Sequence, residues 1–486
     1  MESSDKKIND KWLILPIILL LAYLIFRLIN QSQMITIFPI DDVANDFSGH
    51  MARLYFLDKY GFNLVPDWFN GITPLKFYPP FYYIATLPLY NLIKNIQLTM
   101  FLSLLILYIL GLIGFFVLGK LLNLSKIKSL FLFCIFFINP VAIGNFLRLG
   151  KMAEMFGWVI SIFLISLIFY YKDKKLNKKF LFLFIILYSL LFYTHILLFI
   201  VISLFLSCLF FYKNFKEKLI IILGAIISLV LTSFFWYPFI KGISGSEIDK
   251  FYPLQWLISP GFLNDKIVSF IVPAALLIIF YLYKRSNKEK LSFYVPIIIF
   301  SALYLTRLAV FIPILNRPTP DTYNLFLIII FTIIFLKLDT QKASLRALTF
   351  IIIILMIASS FLLTPLFAKH TEDINNTIKI LDKIDKRFII HNPPYRDGAM
   401  YSYASIYKNL STAGGWGSEG VRDSYIKKLN NLYTSINNKD CSLIKNNLKE
   451  LNTTYVIAYQ DSCKTLNNCL LKSRAVESNV CLYSLS

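Results

Sequence analysis

Long apolar runs recur from Trp12 to Phe367, and they constrain the fold more than any other feature of the chain. A bilayer-crossing helix needs about 20 predominantly apolar residues. Twelve stretches are candidates: 12–30, 81–94, 99–119, 128–147, 155–171, 180–193, 195–212, 219–236, 267–283, 291–311, 324–337 and 348–366. Several fall short of that length, so their boundaries are soft. Composition agrees. Of 486 residues, 57% are hydrophobic and 16% charged, where soluble domains carry about 25% charged residues. Mean hydropathy is +0.62. These values exclude a soluble globular protein, a disordered chain and a small disulfide scaffold, and leave a polytopic α-helical membrane protein.

Charge orients the segments. The net charge of +21 sits largely in short loops between apolar stretches. It therefore reads as a topology signal rather than a nucleic-acid footprint, and no nucleic-acid partner is expected. The Lys/Arg-rich loops 171–179, 213–218, 284–290 and 337–346 belong in the cytoplasm with the N-terminus. The first segment follows Lys6, Lys7 and Lys11 and lacks a small-residue cleavage site, so it reads as a retained signal anchor. Loops 31–80, 148–154, 237–266 and 312–323 then lie outside, with the tail after Phe367. Loop 120–128 is also basic, so residues 81–119 cross once overall, and 81–94 reads as interfacial or re-entrant. About eleven spans fit an inside N-terminus and an outside C-terminus.

Near Ala368 the composition turns polar. The expected organisation is a membrane domain over 1–367, with its first outer loop at 31–80, and an extracytoplasmic α/β domain over 368–486. Segments 388–391, 454–459 and 479–485 read as strands, and 422–436 and 441–451 as helices. Cys441, Cys463, Cys469 and Cys481 allow up to two disulfides there, with three connectivities open.

Chemistry concentrates in a few places. The first outer loop holds five of the 28 acids, Asp41, Asp42, Asp46, Asp58 and Asp67. In it Asp46 and His50 are four apart and share a helix face. A carboxylate beside a membrane suits a general base for a hydroxyl, or a ligand for a hard divalent cation next to phosphate. Helix capping is the bland alternative for Asp42; Asp46 is expected inside the helix running from Val43 to Tyr60. The turn RLGKMAE carries Arg148, Lys151 and Glu154 between two apolar segments. The two cations suit a phosphate or simple snorkelling, and Glu154 suits an orienting or metal-binding role. His195 at a helix junction reads first as a packing residue. Arg317 and Asp321 lie in the turn LNRPTPDTYN, where Arg317 could hold a lipid phosphate bidentately. In the tail, STAGGWGSEG (411–420) is a glycine-rich loop with an exposed Trp416; it suits a cover over a substrate cavity with Trp416 stacking on a sugar, or equally a plain connection. Asn375, Asn409 and Asn452 stand in sequons.

The first-loop motifs D-F-S-G-H (46–50), P-D-W (66–68), N-G (70–71) and F-Y-P-P (77–80) resemble the first outer loop of GT-C glycosyltransferases. In particular they are similar to the prokaryotic membrane proteins labelled "6-pyruvoyl-tetrahydropterin synthase-related", a label that carries no pterin chemistry here. The resemblance continues at N-P (139–140), R-L-G-K-M-A-E (148–154), T-H-I-L (194–197) and the closing strands. It implies a polyprenyl- or dolichyl-phosphate-linked sugar donor and an acceptor (glycan, lipid or protein) bound between the bundle's outer face and the soluble domain. It makes Asp46 the general base or a metal ligand, and gives the lipid phosphate to a basic residue at the membrane face. One departure is clear: an Arg expected near the start of 324–337 is replaced by Tyr323 and Asn324.

The expectation is therefore a GT-C-type glycosyltransferase of the plasma membrane, acting on its outer face, with membrane lipids around it. Asp46, His50 and Glu154 are the candidate catalytic residues. Arg148, Lys151, Arg317, His195 and Trp416 are candidates for donor or lipid-phosphate binding. If a cation is used, Mg2+ or Mn2+ on Asp46 and Glu154 is the expected form. The rival readings are a lipid-linked glycan flippase or other transporter, and an oligosaccharide polymerase or ligase.

Overall fold

The computed structural model describes residues 10–40, 46–243, 263–286, 291–338, 343–395, 397–417, 421–469 and 471–485. Asp41, Asp42 and most of loop 237–266 lie outside that set. The chain divides into two compact units.

The first unit comprises Met1–Asn30, Leu104–Ser233 and Phe251–Leu366, and is helical. Among the described residues, four helices are long and apolar enough to cross a membrane: Asp10–Ile35, Ile96–Leu121, Met152–Tyr171 and Pro320–Lys337. A bent pair, Lys126–Ile138 and Pro140–Arg148, makes five if counted as one span. Ile196–Tyr212, Leu291–Leu305 and Thr349–Leu362 are apolar but shorter. The apolar helices point to a membrane protein; among the described residues four, or five with the bent pair, are long and apolar enough to cross, where the sequence led us to expect about eleven spans.

Local chemistry explains the helix ends. Asn177 and Asn214, within two of the lysine-rich segments, accept the backbone N–H of Phe180 and Glu217 and so start the next helix. The 51° bend falls at Asn139–Pro140. Pro140 brings no N–H, and the Asn139 side chain serves both sides of the break. Its amide donates to the carbonyls of Ile135 and Phe136, and its oxygen accepts from Ala142 N–H. Several of the loops expected in the cytoplasm are tied to one another in pairs. The Lys128 ammonium lies 3.6 Å from Asp10 and donates to the Leu336 carbonyl. Glu217 accepts from Leu176 N–H, tying loop 213–218 to loop 171–179.

The second unit comprises Gln31–Ser103, Phe234–Lys250 and Phe367–Ser486. The first outer loop thus groups with the tail rather than with the membrane helices. Its sheet contains β1 (Phe388–His391), β2 (Tyr455–Tyr459), β3 (Lys472–Glu477) and β4 (Val480–Ser484), ordered β1-β2-β4-β3. The β1–β2 pair is parallel and the other pairs are antiparallel. The two faces sort by alternation. Phe388, Ile390, Ile457 and Leu482 pack with Ile374 and Ile380 of the Glu372–Leu381 helix. Ile389, Val456, Cys481 and Tyr483 share a core with Leu432 and Leu448, and with Phe56 and Trp68 of the first loop. Disulfides Cys441–Cys469 and Cys463–Cys481 select one of the three connectivities. The Phe81–Ile93 helix has 13 residues. It is about 20 Å long, short of a hydrocarbon core of about 30 Å.

Candidate active site

The first unit carries a buried charged cluster at the reversal between two apolar helices. After Pro140 the backbone widens into a π turn over Ile143–Arg148, reverses at Gly150 (φ 70°), and starts the Met152–Tyr171 helix. Such widened turns often accompany functional positions. Here the turn brings Asn145, Lys151 and Glu154 to the N-terminal end of the Pro320–Lys337 helix. Lys151 Nζ lies 2.6 Å from Asp321 Oδ2 and 3.8 Å from Glu154 Oε2. Asn145 donates to the same Asp321 oxygen at 2.7 Å. Glu154 Oε1 accepts from Thr322 Oγ1 at 3.1 Å and from Trp158 Nε1 at 3.4 Å. Glu154 is only 3% exposed, which excludes ordinary surface solvation of its carboxylate.

This arrangement changes the reading of Lys151. Two carboxylates face one ammonium, so the Lys151 charge is already compensated within the cluster. It is a weaker phosphate ligand than the sequence suggested. Arg148 is half-buried at the end of the π turn, close enough to Arg27 for their charges to repel. Arg27 itself donates to the carbonyls of Thr364 and Pro365. Arg317 is exposed in its loop. His195 joins two helices: its Nδ1 accepts Leu198 N–H at 3.2 Å and caps the Ile196–Tyr212 helix, in keeping with a packing role. Asn145 and Thr322 were not foreseen. The signal for Asp321 was an acid opening an apolar stretch; short polar residues such as Asn145 give none.

The second unit carries the first-loop site. Asp46 occupies the N-cap position of the Phe47–Tyr60 helix, not its interior as expected, and its side chain makes no capping bond. His50 N–H donates to the Asp46 carbonyl at 2.9 Å, closing the first turn. The His50 ring is buried. Its Nδ1 is 2.7 Å from the Tyr83 hydroxyl, and Tyr78 and Tyr82 meet it edge-on. The Arg53 guanidinium sits 4.3 Å over the Tyr78 ring. Asp67, another acid of this loop, has a structural role. Its carboxylate accepts from Tyr60 at 2.7 Å and Ser411 at 3.2 Å, and its carbonyl accepts Thr412 N–H. Beside it, burial lowers the Lys59 pKa, but bonding to Tyr60 and the Asp67 charge outweigh this and the net shift is upward.

Trp416 overturns its expectation. It is buried, 6% exposed, and lies against Gly49 and Gly398. An indole in that position presents no face to a sugar.

The metal expectation finds no matching donor set. Among the described residues no group of three or more His, Cys, Asp or Glu side chains is placed to hold an ion. Glu154 is already engaged by an ammonium and two hydrogen-bond donors, and an adjacent ammonium disfavours a cation. No step is therefore assigned to a metal.

The fold is similar to that of the oligosaccharyltransferase of Archaeoglobus fulgidus, solved with Zn and sulfate. That match has TM-score 0.57 and 11% identity, covering 90% of this chain and 68% of that one. It is also similar to arabinofuranosyltransferase AftD from Mycobacteria, with TM-score 0.60 and 13% identity, covering 98% of this chain but 40% of that one. The archaeal enzyme AglB, in complex with an inhibitory peptide and a dolichol-phosphate, matches with TM-score 0.53 and 10% identity over 90% and 69% of the two chains. No family model and no curated protein matches the chain, so the narrower pterin-labelled family gains no support. The neighbours are glycosyltransferases of the GT-C type, and at these identities what the chain shares with them is the fold.

Proposed function

We propose that the protein is a glycosyltransferase that moves a sugar from a polyprenyl-phosphate-linked donor to a hydroxyl of a glycan, lipid or protein acceptor at the outer membrane face. The observation that carries this reading is a fold shared over 90% and 98% of the chain with an oligosaccharyltransferase and an arabinofuranosyltransferase. One such neighbour structure contains dolichol-phosphate. Two disulfides in the tail support an extracytoplasmic, oxidising location for it; the basic loops support a multi-pass chain of the plasma membrane with a cytoplasmic N-terminus.

The chemistry asks little of an acid, because a lipid phosphate is already a good leaving group. The acceptor attacks the anomeric carbon, the bond from that carbon to the phosphate oxygen breaks, and the acceptor proton passes to Asp46. Arg148 offers positive charge to the departing phosphate. In this reading the Lys151–Asp321–Glu154 cluster fixes the turn that presents Arg148. His50, bonded to Tyr83, holds the first turn that carries Asp46.

The test is transfer of labelled sugar from polyprenyl-phosphate donors to membrane acceptors, with wild type compared against Asp46→Asn and Arg148→Gln at matched expression. Loss of transfer in Asp46→Asn supports the base. Transfer at the wild-type rate in that variant removes Asp46 from the chemistry. A donor that crosses the bilayer without losing its sugar would favour the transport reading instead.

A further inference from the structure

The glycine-rich loop 411–417 was expected to lie over substrate, but its side chains are spent on the protein itself. A Cβ placed on Gly49 would come 2.0 Å from Trp416 Cδ1 and 2.3 Å from its Nε1. A Cβ on Gly398 would come 2.4 Å from Trp416 Cε3. The indole is therefore wedged between the first turns of two helices, with its five-membered ring on Phe47–Tyr60 and its six-membered ring on Asp397–Tyr407. Only glycine leaves room for it on either side. The loop is pinned around this wedge. Gly415 abuts Trp68 and Phe69, Gly414 abuts Tyr401, and Thr412 Oγ1 donates to the Asp67 carbonyl at 2.8 Å. Gly49 is three residues after Asp46 and immediately precedes His50. The first turn of a helix is where backbone hydrogen bonding is weakest, since its leading N–H groups have no intrahelical partner. A rigid side chain pressed on that turn limits how far its backbone can shift.

We propose that Trp416 is a positioning residue for Asp46, acting through Gly49 rather than by contact with sugar. The proposal rests on the reading of Asp46 as the base. Catalytic geometry is sensitive at this scale, since a misplacement of about 1 Å can cost on the order of a hundredfold in rate.

Full-length protein in detergent or vesicles carrying Trp416→Phe, Trp416→Leu or Gly49→Ala is compared with wild type. Phe keeps the wedge apolar and planar but smaller, so it guards against simple misfolding. Amide hydrogen exchange within 47–54 should quicken in Trp416→Phe, while exchange in Met152–Tyr171 stays at the wild-type rate. Unchanged exchange in 47–54 for both Trp416→Phe and Trp416→Leu overturns the proposal, with no reference to activity. In the transfer assay, kcat should fall on the order of tenfold in Trp416→Phe and in Gly49→Ala with KM held within about twofold. In an Asp46→Asn background, Trp416→Phe should cost nothing further. A raised KM for donor or acceptor at unchanged kcat would mean that Trp416 contacts sugar, and would also overturn it. If Asp46→Asn alone transfers normally, the base assignment fails, while the exchange measurement still decides whether Trp416 holds the turn.

Discussion

Lys151 and Asp321 are 170 positions apart in sequence, and Lys151 Nζ lies 2.6 Å from Asp321 Oδ2 at the meeting of two helices of the membrane unit. Lys151 is at the reversal before Met152–Tyr171 and Asp321 in the first turn of Pro320–Lys337. The pair joins two helices that are both mostly buried within the protein. Removing one partner leaves the other charge in weaker company: Lys151 keeps Glu154 at 3.8 Å, and Asp321 keeps the Asn145 amide as a donor.

That asymmetry gives the first prediction. Lys151→Met or Asp321→Asn alone should destabilise the chain by about 2–3 kcal/mol, below the full penalty for a buried pair because the Lys151 side chain is 24% exposed. The double variant Lys151→Met/Asp321→Asn should recover part of the loss. Thermal unfolding of the four proteins in one detergent measures it. Additive losses in the double variant would deny the coupling.

A second prediction separates structure from chemistry among the first-loop acids. Asp67 accepts from Tyr60 and Ser411, and its carbonyl anchors Thr412. Asp67→Ala keeps the carbonyl but strands the Tyr60 and Ser411 hydroxyls, at a cost of about 2–3 kcal/mol. It should lower the melting temperature, while the protein that remains folded keeps its kcat. A kcat collapse at unchanged stability would assign Asp67 to the reaction instead.

The disulfides give a third. Bridges closing 28-residue and 18-residue separations each stabilise by about 3–4 kcal/mol on the loop-entropy model. Peptide mapping without reductant should recover the peptides of Cys441 with Cys469 and of Cys463 with Cys481. Cys134 and Cys208, buried in apolar helices, should remain thiols that react only after unfolding. A Cys441–Cys463 peptide would refute the pairing.

What the sequence made legible follows from which signals are local. The strands at 388–391 and 455–459 and the helix at 423–437 were readable because alternation and amphipathic period mark each segment by itself. The strand Lys472–Glu477 was missed: it has an exposed, polar edge pattern and only Val476 and Ala475 to betray it. The candidate residues Asp46, Lys151 and Glu154 stood out because acids and cations beside apolar segments are rare. Their surroundings were not readable, because Asn145, Thr322 and Tyr83 reach the clusters through tertiary contacts. Trp416 was misread for the same reason. A tryptophan among glycines looks exposed in one dimension, and only the fold shows that Gly49 and Gly398 make room for it.

The last prediction concerns pH. His391 ends β1, is 4% exposed, and packs its ring 5.3 Å from that of Tyr433. Burial pushes its pKa below the ordinary 6.5, and hydrogen bonding to Asn437 only partly opposes this. The native state therefore favours the neutral ring. The unfolded chain binds a proton near its ordinary pKa, while the folded chain resists until lower pH. The stability contributed by His391 is complete above about 6.5 and is lost as pH falls below it toward the depressed folded value. The melting temperature should decline as pH falls below about 6.5, and His391→Phe should flatten that part of the profile. A profile in which wild type and His391→Phe decline in parallel would show that the proton is taken up elsewhere.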